Sequence, residues 1–174
     1  MLKNELKNFL SGAGKTESKN LIYAIAGYLE TGKKAGEKTE ISKLTKQEET
    51  KLITKYLSTH QHPNIEVDES RYLTEGAEQK IYLSNDGNTV LKLNSGIFYF
   101  NWSDYLTSLL IHNFFFPATQ YNLSGFIEMN DSLYAAVQQP YIIANEITDL
   151  NKVKYLWRIM ILLLKKITTI IVNH

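Results

Sequence analysis

Arg71–Leu93 reads RYLTEGAEQKIYLSNDGNTVLKL, and the alternation inside it decides the fold. Gln79–Leu83 and Thr89–Leu93 each alternate apolar with polar residues and are rich in β-branched or aromatic side chains, the pattern of half-buried strands. Between them Asn85, Asp86, Gly87 and Asn88 tolerate the positive φ that a tight hairpin needs. A β-hairpin is expected here.

A third short run, Arg71–Thr74, precedes the hairpin and is joined to it by Glu75-Gly76-Ala77-Glu78. The order is strand, small-residue loop, strand, turn, strand. Period-two alternation puts Val90 and Lys92 on one face of the last strand and Leu91 and Leu93 on the other. The residues alone leave open whether Lys92 faces a site or a solvated edge. The layout resembles a protein-kinase N-lobe, in which a glycine loop covers the phosphates and a lysine on the third strand reaches them. The full loop pattern has three glycines, and here Gly76 stands alone beside Ala77.

Length and charge bound the alternatives. A chain of 174 residues suits one domain, or one small domain with an extension. A formal net charge of +1 gives no global reason to expect nucleic acid or an anionic membrane as partner. With no cysteine there is no disulfide, zinc-thiolate site or thiol nucleophile, which fits a reducing cytoplasm. The N-terminal MLKNELKNFLSG lacks the unbroken apolar core of a secretory signal, so export is not expected.

Up to about Ser58 the pattern is helical, with Leu2, Leu6, Phe9 and Leu10, then Leu21, Ile22, Ile25 and Leu29, three or four apart. Thr31–Lys38 is polar and glycine-containing and reads as a loop. A third helix is expected from Ser42 or Thr45 to Leu57, with Leu44, Ile53 and Leu57 inward and Glu48 and Glu49 where the helix dipole favours them. Gly12-Ala13-Gly14-Lys15-Thr16 ends as a Walker A loop ends. Its first glycine is replaced by Phe9 and no buried strand precedes it, so an interhelical loop is the better reading. His60 and His62 have no third ligand nearby in sequence and read as loop residues.

Beyond the hairpin, Ile97–Phe116 reads as one helix, with Phe98, Trp102, Tyr105, Leu106, Leu109, Leu110 and Asn113 at helical spacing and Pro117 at its end. Two strands, Tyr121–Glu128 and Leu133–Gln138, follow around the turn Met129-Asn130-Asp131-Ser132, and Gln139-Pro140 closes the second. The fold class is therefore α+β: a kinase N-lobe-like five-stranded antiparallel sheet with one long helix after the third strand and a small helical region before it. The expected division is a helical region at 1–66, the lobe at 67–145 and a tail at 146–174.

EGAEQKIYL, VLKLN, FYFNWSDYL, LLIHNFFFP and LYAAVQQPYI together resemble the polyvalent protein kinase-like domains of bacterial mobile-element and phage proteins. The likeness covers roughly Leu21 to Asn151. It implies that Gly76 and Ala77 lie over nucleotide phosphates, that Lys92 contacts them, and that Gln139 to Tyr141 form the hinge against adenine. It also implies an acidic partner for Lys92 on the long helix, where Asp104 is the only carboxylate. ATP is the implied ligand, bound weakly by half a cleft, and magnesium is not expected in this fragment.

A kinase also needs a second lobe with a catalytic aspartate and magnesium ligands, and nothing like HxD or DFG follows the hinge. The expectation is a truncated, inactive lobe. Trp157–His174, WRIMILLLKKITTIIVNH, shows no clear period and is too short for a membrane span. It reads as a truncated or frameshifted tail, with a genuine strand or helix capping an exposed lobe face as the rival reading. The alternative function is a non-enzymatic interaction module that binds a protein partner or a second copy through that face.

Overall fold

The computed structural model describes residues 2–12, 20–35, 44–60, 62, 64–143, 147 and 149–171. The Walker-like run after Gly12 lies outside the described residues. The chain divides into two units, Asn8–Tyr141 and Met1–Lys7 with Ile142–His174. Helix α1, Leu2–Leu10, crosses the boundary.

The larger unit holds α2 (Leu21–Ala35), α3 (Lys46–Thr59), β1 (Tyr72–Glu75), β2 (Gln79–Leu83), β3 (Thr89–Asn94), α4 (Trp102–Phe115), β4 (Asn122–Met129) and β5 (Ser132–Pro140). The strands form one antiparallel sheet in the order β1-β2-β3-β5-β4. The α+β class and the helix after the third strand are as the alternation predicts.

Local chemistry sets the boundaries. In the β2–β3 turn Gly87 takes φ 69°, while the Asp86 carboxylate accepts from the Asn88 and Thr89 amides at 2.9 and 3.0 Å. Asn130 and Asp131, both at positive φ, make the two-residue turn between Met129 and Ser132. Helix α3 starts at a reciprocal capping box: Thr45 Oγ1 accepts from the Glu48 amide, and the Glu48 carboxylate accepts from the Thr45 amide.

Two expectations are corrected. Thr31–Ala35 is helical, because Gly32 leaves room for α3: a Cβ there would come within 2.7 Å of Leu52 Cδ1. Helix α4 begins at Trp102 rather than Ile97, since Gly96 turns the chain at φ 61° and Asn101 caps the helix through the Asp104 amide. Ile97, Phe98 and Phe100 therefore lie outside the helix and are exposed.

In the smaller unit α5 runs Leu150–Ile171, so Trp157–Ile171 is helical, one of the two forms that the native reading of the tail allows. Its Leu, Ile and Met residues are good or tolerable helix formers, and Asp149 Oδ1 accepts from the Asn151 amide at its start. Among the described residues no helix is long and apolar enough to cross a membrane.

The sheet is covered on both faces at β3, β4 and β5, whereas β1 is exposed. On the inner face α2, α3 and α4 share one core with Leu123, Phe126, Ala135 and Val137, centred on Trp102, which meets Phe126 edge to face at 5.2 Å. On the outer face Tyr82, Leu91, Leu93 and Ala136 are covered by Ile65 and Val67. Gly125 permits this crossing: it has φ 154°, and a Cβ there would lie 2.9 Å from Ile65 Cδ1.

Candidate functional site

Lys92 pairs across the ladder with Val137, a member of the inner core, so its side chain leaves the sheet on the face that α4 covers. It is half-buried, and burial lowers the pKa of its ammonium below the ordinary lysine value. Among the described residues no carboxylate forms an ion pair with it. Its Nζ lies instead 5.3 Å from the centroid of the Tyr121 ring.

Tyr121 is held on three sides. The buried Asn113 on α4 accepts from the Tyr121 amide at 2.6 Å and donates to its carbonyl at 2.8 Å. The His112 ring packs against it at 4.5 Å between centroids. Gln139 donates from Nε2 to the Thr119 carbonyl at 2.8 Å, and its side chain acts to lower the Tyr121 phenol. Burial, then the neighbouring Tyr99, pushes the Tyr121 phenol upward.

Beside Tyr121 a cavity of about 290 Å³ opens between the ends of β2 and β3 and the inner side of α4. Glu78 supplies its carboxylate, which accepts from Asn94 Nδ2 at 2.8 Å, and Tyr99, Tyr105, Ser108 and His112 line the helix side. Burial raises the Tyr105 phenol, so it stays a neutral hydrogen-bonding group.

The residues singled out from sequence fall as follows. Gly76 and Ala77 form the exposed β1–β2 turn, closed by the Gly76 amide donating to the Gln79 carbonyl at 2.9 Å. An added Cβ at Gly76 would meet nothing within 4 Å, so the space over this turn is open to a ligand. Gln139 stands opposite Val90, on the same face as Lys92. Tyr141 follows β5, is 43% exposed, and its amide donates to the Asn88 carbonyl. Asp104 lies in the first turn of α4, and among the described residues no ion pair joins it to Lys92.

Lys92 and Gln139 thus share one face around Tyr121, whereas Asp104 is not joined to them. Tyr121 and Glu78 were not legible as site residues. The available signal was Asn113, a lone amide in the apolar stripe of α4, where a buried polar side chain must have a partner. A half-buried ammonium with no ion-pair partner among the described residues can take an anion, which would supply the missing countercharge.

Residues 46–166, well over half of the chain, match the family model described as Serine/Threonine/Tyrosine Kinase found in polyvalent proteins. No curated protein and no solved structure matches the chain. The match spans α3, the whole sheet, α4 and most of α5 in sequence. The chain belongs to the family of serine/threonine/tyrosine kinases found in polyvalent proteins.

Proposed function

We propose that the larger unit is a nucleotide-binding kinase-like lobe that takes ATP weakly. In this reading Lys92 contacts the phosphates, Gly76 and Ala77 lie over them, and Gln139 to Tyr141 run along the adenine. The observation that carries it is the half-buried Lys92, which has no ion-pair partner among the described residues. Residues 141–174 contain neither HxD nor DFG, so the proposal assigns residues 1–174 nucleotide binding and places no step of phosphoryl transfer on them. A bacterial mobile element as source and the cytoplasm as compartment belong to the same proposal.

The test is calorimetric titration of the chain with ATP, alone and as Lys92→Ala. Millimolar to high-micromolar binding that weakens at least tenfold in the variant supports the reading; a loss of about 1.4 kcal/mol corresponds to that factor. No heat of binding, or equal binding by both proteins, overturns it.

A second reading rests on the loop before α4. Ile97, Phe98 and Phe100 are 61, 70 and 65% exposed, an apolar cluster that favours a protein-interaction role. Here no nucleotide binds, and light scattering detects self-association that Phe98→Ser with Phe100→Ser abolishes.

A further inference from the structure

In kinases of the general pattern the strand lysine is oriented by an acidic side chain on the following helix. The site is built differently here. Asp104, the only carboxylate of α4, makes no ion pair with Lys92 among the described residues. Glu78 faces the cavity beyond Tyr121 and is held by Asn94. Burial is the one cause that shifts the Lys92 ammonium, so no nearby charge offsets its desolvation. Directly under Nζ lies the Tyr121 ring at 5.3 Å, inside the roughly 6 Å range of a cation–π contact.

The residue that carries the ring is held from α4 through both its backbone and its side chain. Asn113 spends both ends of its side-chain amide on the Tyr121 backbone, at 2.6 and 2.8 Å. His112 supports the ring from α4 at 4.5 Å, and Gln139 from β5 holds the Thr119 carbonyl two residues before it at 2.8 Å. Two side chains of α4 thus hold Tyr121, Asn113 through its backbone and His112 through its ring.

We propose that Tyr121 is the positioning residue for Lys92, its ring face replacing the usual carboxylate, so that the lysine is oriented without being neutralised. The proposal rests on the nucleotide reading above. A ring orients the ammonium through its quadrupole and leaves its full positive charge for an anionic phosphate. A carboxylate partner would cancel much of that charge.

The test compares the full chain with Tyr121→Phe, Tyr121→Leu and trifluorophenylalanine at position 121. The fluorinated ring keeps nearly the same shape but has a weakened negative face, so it remains informative if Tyr121→Leu fails to fold. Two readouts are taken: the titration of Lys92 by NMR without nucleotide, and ATP affinity. The ring stabilises the charged lysine, so Lys92 should titrate at lower pH in the leucine and fluorinated proteins and as wild type in Tyr121→Phe. ATP binding should weaken about fivefold in the first two and recover in Tyr121→Phe. Unchanged Lys92 titration in the fluorinated protein, or a phenylalanine variant that behaves like leucine, overturns the proposal. If wild-type protein does not bind ATP, the nucleotide reading fails by itself, and the Lys92 titration still decides the role of Tyr121.

Discussion

Glu49, fully buried in the first turn of α3, accepts hydrogen bonds from the Ser103 amide at 2.8 Å and the Ser103 hydroxyl at 2.6 Å. Its carboxylate therefore lies against the N-terminal turn of α4, where unpaired amides and the helix dipole favour a negative charge. Neighbouring contacts join the same two segments: Trp102 Nε1 donates to Thr50 Oγ1 at 2.9 Å, and Lys46 Nζ donates to the Ser95 carbonyl at 2.8 Å. The helical region before the sheet thus holds the start of the helix whose side chains place Tyr121.

Removing that carboxylate is expected to be costly. Glu49→Ala leaves the Ser103 amide and hydroxyl without their acceptor and should destabilise the chain by about 2–3 kcal/mol. Ser103→Ala keeps the amide bond and should cost about 1 kcal/mol. Urea unfolding measures both, and equal losses would place the energy elsewhere than in these two bonds.

Asp86 gives an acid-limb prediction. Hydrogen bonds from the Asn88 amide, then the Thr89 amide, hold its carboxyl below the ordinary value of 3.8. A carboxyl depressed on folding contributes stability above its unfolded pKa and loses it as pH falls through the folded one. Asp86→Asn should therefore be less stable than wild type at neutral pH, with the gap closing below about pH 4. Thermal melts across that range check it.

Lys92 has the opposite dependence. Its folded pKa is lowered from the ordinary 10.5, so the unfolded chain binds more protons between the two values and stability contributed by this site rises with pH there. Below the folded value the burial penalty is fully present. Lys92→Met should remove it and raise the melting temperature at pH 7, with the advantage shrinking as pH approaches 10.5. A methionine variant that melts lower at every pH would show that the ammonium is not penalised.

Gly125 tests the outer-face crossing. Alanine there is strained at φ 154° and meets Ile65 Cδ1 at 2.9 Å. Gly125→Ala should cost about 2 kcal/mol, and Ile65→Val should recover part of that in the double variant, since removing the Cδ1 methyl relieves the clash but not the backbone. Additive losses would exclude the clash.

The sheet was legible because its strands alternate cleanly and its turns carry Asp86-Gly87 and Asn130-Asp131. Lys92 was legible for the same reason, its face following from period two. Helix ends were harder. The glycine at position 32 reads as a breaker until α3 is seen packed against it, and Phe98 reads as helical until Gly96 and Asn101 are seen to set the start. Glu49 at a helix start reads as a dipole residue, and only the fold brings Ser103, far along the chain, to its carboxylate. Tyr121 carries no motif at all. The role proposed for it rests on Asn113 and His112 on one helix and Lys92 on β3.

Strand β5 lies between β3 and β4 in the sheet but is the last of the five in the chain. As the protein emerges from the ribosome, β1, β2 and β3 can pair locally, yet β3 keeps a bare hydrogen-bonding edge until β5 arrives. Closing that gap joins Thr89 to Pro140, a long-range pairing of the kind that slows folding. For the time it takes to synthesise about fifty residues, the β3 edge is the surface most open to capture by another chain, and protecting it falls to whatever meets the nascent protein first.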